Sequence, residues 1–388
     1  MTKKKISDKM SKVKPSGIRR MFDLAQGVPD IISLGIGQPD FNTPEYIKEA
    51  MKKALNENFT KYSPNMGYLD LRKAIANKYE DEYNLKYSAD DIIVTCGACE
   101  ALYIICQAVL NPGDEVLIPD PGFLTYPAQV ILSNAKPVLY KTQEENNFKI
   151  DINEIENKIS PKTKMIVLNF PNNPTGAVMT GKELTEIINL IIKKDILILS
   201  DECYEKLIYD GLKHISIPTM GVKDRTFIVN SFSKSYSMTG WRIGYLLAPP
   251  EYVYHINLVH QMNTACANSA TQIACIEALQ NQDESSKFIK MMVSEFDKRR
   301  KFIFNNINKI NGLSCKLTKG AFYYLINIKN TGMTSREFSE LLIKEAKVVT
   351  IPGNEFGDIG EGYVRVAYTT GIDTLKEALD RIKNVLNK

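Results

Sequence analysis

Two hydrophobic rhythms alternate along most of the chain. Short runs that are almost wholly apolar are separated by longer stretches in which apolar residues return every three or four positions. The short runs include Asp91–Thr95, Glu115–Ile118, Met165–Phe170, Asp195–Ser200, Thr226–Asn230 and Tyr245–Ala248. A strand without polar alternation is buried on both faces, as strands of parallel sheets are. The longer stretches predict amphipathic helices over 69–83, 101–110, 152–159 and 180–192, and a helical region over 251–281. Near the start, Ile18–Leu24 predicts a short helix and Ile31–Leu34 a short strand. Thr43 and Pro44 read as the N-cap and first residue of the next helix. Lys136–Lys141 is a further strand.

After residue 285 the order changes. A long charged helix to about residue 310 is followed by strand Tyr323–Ile328 and helix Ser335–Ala346. Strands Val348–Ile351 and Tyr363–Ala367 and a helix from Asp373 complete the chain. Strand and helix in alternation imply an α/β fold with a mainly parallel sheet between helices, and the last hundred residues imply a smaller α+β unit.

Composition narrows the classes. The 388 residues are 44% hydrophobic and 24% charged, which suits a globular enzyme with a large core. A formal net charge of +4 gives no case for nucleic acid or an anionic membrane as partner. The basic start (Lys3, Lys4, Lys5, Lys9, Lys12, Lys14) has no apolar run behind it and reads as a solvated tail, not a targeting peptide. No apolar run approaches the roughly 18 residues that span a bilayer. Seven scattered cysteines argue for the reducing cytoplasm.

The candidate chemistry clusters where the predicted strands end. Ser231, Ser233 and Lys234 follow the strand Thr226–Asn230, with Arg242 eight residues on. A lysine that its neighbours partly desolvate is an amine nucleophile, and serines with an arginine can hold a phosphate. Together they suggest a Schiff base with a phosphorylated aldehyde, pyridoxal phosphate. A solvated lysine in a Ser-rich loop is the plain alternative. Gly97, Ala98 and Cys99 form a small-residue turn between a strand and a helix, a place where free N–H groups meet an anion. Cys96 and Cys99 also match a redox or half-zinc spacing, although no second pair completes a metal site. Phe123 can stack on a planar ring or fill a core. Asn173 ends one apolar strand and can donate to a ligand oxygen. Asp201 ends another, where a carboxylate needs a cation, and Tyr204 follows. The turn at Gly35 and Gly37 allows close approach to a ligand. Arg365 lies inside an apolar strand and needs an anion, either a structural carboxylate or that of a substrate.

With these residues in view, the chain resembles the fold-type I pyridoxal-phosphate aminotransferases, in the aspartate and aromatic amino acid subgroup. The resemblance rests on Ser231–Lys234 with Gly240–Gly244, and on Asn173–Gly176, Ser200–Tyr204, Pro121–Phe123, Lys61–Tyr62 and Gly35–Asp40, in order over almost the full length. It implies a seven-stranded sheet in a large domain over 46–282 and a small domain from 1–45 and 283–388. It implies pyridoxal 5'-phosphate as cofactor and transfer of an amino group from an aromatic amino acid or aspartate to 2-oxoglutarate. Lys234 would form an aldimine with the cofactor and shuttle the proton. Asp201 would pair with the ring nitrogen, Tyr204 and Asn173 would bond the ring oxygen, and Phe123 would stack on the ring. The turn at Gly97, the amides of Ala98 and Cys99, and Ser231, Ser233 and Arg242 would hold the phosphate. Tyr62 would reach the phosphate of a second subunit, making a homodimer with shared sites. Arg365 would grip the substrate carboxylate, helped by Asn173 and the Gly37 backbone. Competing readings are a β-lyase of the same fold, a transaminase for another donor such as LL-diaminopimelate, and a cofactor-binding regulator, for which too few residues precede the first motif. Cys99 stands where aspartate enzymes of the subgroup can carry a lysine, so the resemblance also implies a preference for aromatic donors.

Overall fold

A computed structural model describes residues 6–13, 15 and 17–387. The basic residues Lys3, Lys4, Lys5 and Lys14 lie outside the described residues. In chain order the strands are β1 (Ile32–Ser33), β2 (Ile92–Thr95), β3 (Glu115–Asp120), β4 (Lys136–Lys141), β5 (Thr163–Asn169), β6 (Leu197–Asp201), β7 (Thr226–Ser231), β8 (Gly244–Leu247), β9 (Tyr323–Asn327), β10 (Val348–Val349), β11 (Ile351–Pro352) and β12 (Tyr363–Ala367). The helices used below are α1 (Gly17–Ala25), α2 (Glu45–Asn56), α3 (Leu69–Tyr83), α4 (Ala98–Val109), α5 (Thr125–Leu132), α6 (Ile152–Lys158), α7 (Gly181–Lys193), α8 (Phe232–Ser235), α9 (Pro250–Thr264), α10 (Ser269–Gln280), α11 (Gln282–Ile307), α12 (Ser335–Leu341) and α13 (Ile372–Leu386).

The molecule is α/β, built on a seven-stranded sheet in the order β2-β8-β7-β6-β5-β3-β4. Only β8 runs against its neighbours. Its strands are apolar on both faces because helices cover both. One layer packs α4 and α9 residues such as Ile105 and Ile256 on Val116 and Val167; the opposite layer sets α7 residues Ile187 and Ile191 on Ile166 and Ile198. At roughly 1.5–3 kcal/mol for each buried aliphatic side chain, these layers dominate the stability. α7 starts as its sequence directs: Thr180 caps the Glu183 amide while Glu183 reaches back to the Thr180 amide.

The chain after α10 makes a second core. α11, α13 and the three-stranded sheet β11-β12-β9 enclose Phe296, Ile303, Phe322, Tyr324 and Val366. β1, from near the start of the chain, pairs in parallel with β10 and so joins this unit. Among the described residues no helix is long and apolar enough to cross a membrane.

Four local expectations change. The single strand expected over Val348–Ile351 divides into β10, paired with β1, and β11, paired with β12. α4 begins at Ala98, not Ala101, because Gly97, with φ of +80°, makes the turn itself. Thr43 does not cap α2: its hydroxyl donates to the Ser237 carbonyl at 2.7 Å, and Pro44 stands at the cap position without a side-chain bond. α5 was hidden from the pattern by Pro127, which is the third residue of the helix. There the missing N–H is one that a first turn leaves unbonded anyway.

Candidate active site

Parallel strands in register end side by side, and that aligns the polar residues at their carboxyl ends. Asn169 of β5 lies opposite Asp201 of β6, and Asp201 opposite Val229 of β7, two residues before Ser231. A cavity of about 310 Å³ opens over this edge. Ser231, Ser233 and Lys234 reach it from the end of β7, and Asp201 and Tyr204 from the end of β6. Ala98 and Cys99 border it from the start of α4, with Phe123 after β3, Asn173 after β5 and Arg242 before β8. The second unit adds Arg365 from β12, and the turn after β1 adds Gly37. Twelve of the fourteen sequence candidates therefore line one space. Gly97 is set just behind the wall, where a Cβ would come within 2.7 Å of the Arg242 guanidinium. Tyr62 is away from the cavity and 88% exposed.

Charge inside the cavity is left unmatched. Lys234 Nζ donates to the Gly37 carbonyl at 2.6 Å and lies 5.9 Å from the Tyr204 ring centre. Burial lowers the amine to about 8, and the nearby Arg365 and Arg242 push the same way. Such an amine is neutral, and nucleophilic, in a useful fraction near physiological pH. The Asp201 carboxylate accepts from the Tyr126 hydroxyl at 2.7 Å and from the Cys203 amide at 3.1 Å. Burial pushes its carboxyl above the ordinary range, and those hydrogen bonds do not offset it. A cation beside it would reverse the shift.

Arg365 is 3% exposed and among the described residues has no carboxylate partner. One terminal nitrogen donates to Asn173 Oδ1 at 3.0 Å and the other to the Gly35 carbonyl at 2.7 Å, while Nε has no partner among the described residues. The guanidinium lies between the rings of Tyr323 and Phe356, at 4.5 and 4.8 Å. A buried cation held by neutral groups, with a donor free, is arranged for an incoming anion.

The end of the cavity at α4 is backbone-built. As the first residues of α4, Ala98 and Cys99 have N–H groups that no helical carbonyl can accept. Gly244 packs against this turn, where a Cβ would meet the Ala98 nitrogen at 2.8 Å. Ser231 caps α8, accepting from the Ser233 amide at 3.3 Å. Arg242 takes a left-handed conformation (φ 55°) and donates to the Thr239 carbonyl.

Several lining residues had no sequence signal. Tyr126 comes from the hidden helix α5. Tyr323, whose hydroxyl is 2.9 Å from that of Tyr204, looked like any strand aromatic. Ile18 and Phe22 of α1 also border the cavity. Their amphipathic spacing was legible, but not what the face covers. The cysteine alternatives fare differently: burial raises Cys96 to about 11 and raises Cys99 too, which suppresses thiolate chemistry. Among the described residues the group close enough to hold a metal is Glu202, Glu205 and His214, without either cysteine. There Glu205 is already bonded to Lys78 and Tyr83.

The sheet and the amine-bearing cavity define an enzyme of amino group transfer. Residues 29–382 match the model of the family "Aminotransferase class I and II", and the chain belongs to that family. It is 45% identical over 385 residues to aromatic-amino-acid aminotransferase 2 of Thermococcus litoralis, covering 99% of this chain and 98% of the relative. It is 44% identical to an aspartate aminotransferase of Pyrococcus abyssi over the same shares of both chains. The crystal structure of an aromatic aminotransferase from Pyrococcus horikoshii OT3 superposes with a TM-score of 0.90 at 42% identity, covering 95% of this chain and 98% of that one. The chain is an aminotransferase, as its motifs imply.

Proposed function

We propose that this aminotransferase holds pyridoxal 5'-phosphate in the cavity and moves the amino group of an aromatic L-amino acid to 2-oxoglutarate in two half-reactions. The observation that carries this reading is the set of unmatched groups: a lowered amine at Lys234, a buried carboxylate without a cation at Asp201, and a free donor on Arg365. Their chemistry fits a phosphorylated, cationic ring and an α-carboxylate. Asp201 would keep the ring nitrogen protonated. Tyr204 and Asn173 would bond the ring oxygen, and Phe123 would pack on its face. The amides of Ala98 and Cys99 with Ser231, Ser233 and Arg242 would hold the phosphate, on the turn that Gly97 permits.

When bound, the cofactor supplies an electron sink for the bond broken at the substrate Cα. This chain's residues do the rest. Arg365, with Asn173 and the Gly37 backbone, would orient the substrate by its carboxylate. Lys234 Nζ would hold the cofactor at rest and, once released, take the proton from Cα as general base and return it. Phe22 and Ile18 would help exclude water.

A homodimer with shared sites belongs to the same reading. Tyr62 is 88% exposed, and Tyr254, Leu258 and Met262 are exposed four residues apart along α9. That spacing puts three apolar side chains on one helix face, suited to a second copy of the chain. The division into a large domain, 46–282, and a small one, 1–45 with 283–388, draws support from a core made largely of residues after 283, into which Cys203, Tyr204, Leu207 and Tyr209 also pack.

The donor preference follows from the lining. Ile18, Phe22, Ile36 and Leu102 are apolar, Cys99 offers no cation, and the cations at hand have the roles given above. Burying an aromatic ring contributes roughly 1.5–3 kcal/mol, which predicts a ten- to hundredfold preference over aspartate. The check is kcat/KM for phenylalanine, tyrosine, aspartate and alanine with 2-oxoglutarate as acceptor. Aspartate leading by about tenfold would overturn the preference. Pyruvate and ammonia released from cystathionine, without transamination, would overturn the whole reading.

A further inference from the structure

Outside the cavity a carboxylate, Glu100, is buried behind the Gly97 turn. Glu100, in the first turn of α4, accepts from the Cys96 amide through Oε2 at 2.5 Å. Its other oxygen meets His260 Nδ1 at 3.0 Å and accepts from Asn263 Nδ2 at 3.2 Å and from the Thr264 hydroxyl. Burial alone would raise the Glu100 carboxyl, but the hydrogen bonds from His260, Thr264 and the Cys96 amide outweigh it and hold it at about 2. The far side of the imidazole meets a different element: Nε2 lies 2.9 Å from the carbonyl of Asn65. His260 itself is 0% exposed.

Two acceptors, Glu100 Oε1 and the Asn65 carbonyl, flank the ring, and the Thr264 hydroxyl lies 3.4 Å from Nδ1. The imidazole therefore bridges two elements besides its own helix, α4 through Glu100 and the Tyr62 loop through Asn65.

The contact joins two segments that the proposed cofactor site needs. On one side is the Cys96–Ala98 turn. On the other is the loop bearing Tyr62, which is also tied down by Ser269 to the Lys61 carbonyl at 2.6 Å, by Gln272 to Ser63 at 2.9 Å and by Asn65 to the Ala265 carbonyl at 2.6 Å.

We propose that His260 is a positioning residue, clamping the phosphate turn of its own site to the loop that offers Tyr62 to a second copy. This role rests on the cofactor reading above. The assignment of His260 makes it useful in two ways at once: loosening it would slacken the turn in one protomer and the Tyr62 loop presented to the other.

The test compares pyridoxal phosphate retention, by dialysis, in wild type, His260→Gln and His260→Asn. Glutamine donates through one end only, so retention should weaken about ten- to hundredfold, the worth of one charge-assisted hydrogen bond. Hydrogen exchange at the Cys96 amide should quicken in the cofactor-free variant. Equal retention and equal exchange would overturn the positioning role. A wild type that takes up no pyridoxal phosphate would instead overturn the cofactor reading.

Discussion

Two buried arginines, Arg300 and Arg365, show how one residue type serves opposite ends. Arg300, on α11, is 0% exposed and completely answered. It donates to Asp210 at 2.6 and 3.1 Å, to Asp297 at 2.5 and 2.8 Å and to the Thr318 carbonyl at 2.6 Å. Arg365 is almost as buried, yet among the described residues it meets only an amide oxygen and a carbonyl, and one nitrogen has no partner. The carboxylates divide in the same way. Asp210, beside Arg300 and Lys319, is held well below the ordinary range by their hydrogen bonds, whereas burial pushes Asp201 above it. A closed cluster neutralises itself and contributes to structure. An open one leaves its charge unmatched, and Lys234, Asp201 and Arg365 face one cavity.

The largest expected effect tests the open arginine. Arg365→Gln removes the cation proposed to hold the substrate carboxylate. Breaking a buried ion pair costs roughly 3–5 kcal/mol, or about 100- to 5,000-fold in kcat/KM if it appears fully in the barrier. The melting temperature should hardly fall, since no carboxylate of the protein is stranded. A loss below tenfold would show that Arg365 is structural after all.

Arg300→Met should behave in the reverse sense. It takes the guanidinium from Asp210 and Asp297, which keep Lys319 and Lys301 and whose side chains are 29% and 27% exposed. Water therefore softens the cost to the lower end of ~3–5 kcal/mol or less. Denaturant unfolding should register that loss, while kcat/KM of the folded variant stays within about threefold of wild type. Equal destabilisation by Arg365→Gln would dissolve the contrast between the two arginines.

A smaller effect appears in the pH dependence of the cofactor-free protein. Lys234 titrates at about 8 when folded and near ~10.4 when unfolded, so between these values the unfolded chain binds more protons. Stability should then rise with pH across that window, by roughly 1–3 kcal/mol. Asp201 acts in the acid range with opposite sign. Its raised carboxyl keeps its proton longer in the folded state, so stability falls as pH climbs from the ordinary carboxylate value through the raised one. Lys234→Met should flatten the alkaline rise and Asp201→Asn the acid decline. Unchanged slopes in these variants would mean that neither group is desolvated as described.

Much of the site was legible because a parallel sheet brings strand ends together: once Asn173, Asp201 and Lys234 were seen to follow apolar runs, their meeting was implied. Arg365 could be singled out because an arginine in an apolar strand is costly unless answered. Other parts arise from contacts distant in sequence and left no local trace. Tyr126 approaches Asp201 across 75 positions, from a helix whose pattern Pro127 concealed. Phe356 covers Arg365 from a loop with turn composition. Thr43 had the look of a cap, yet the Ser237 carbonyl nearly two hundred residues away competes for its hydroxyl. Arg300 lay within a charged helical stretch, where nothing distinguished a buried arginine from a solvated one. His260 had no signal either, because its two acceptors belong to α4 and to the Tyr62 loop.

The most direct test of the claim that the cavity's open charges await a cofactor is chemical capture at Lys234. The enzyme is loaded with pyridoxal phosphate, reduced with borohydride, digested and mapped by mass spectrometry. Cofactor fixed at Lys234 in the wild type, and none fixed in Lys234→Ala, is the predicted result. Fixation at another lysine, or equal labelling of the variant, would contradict it.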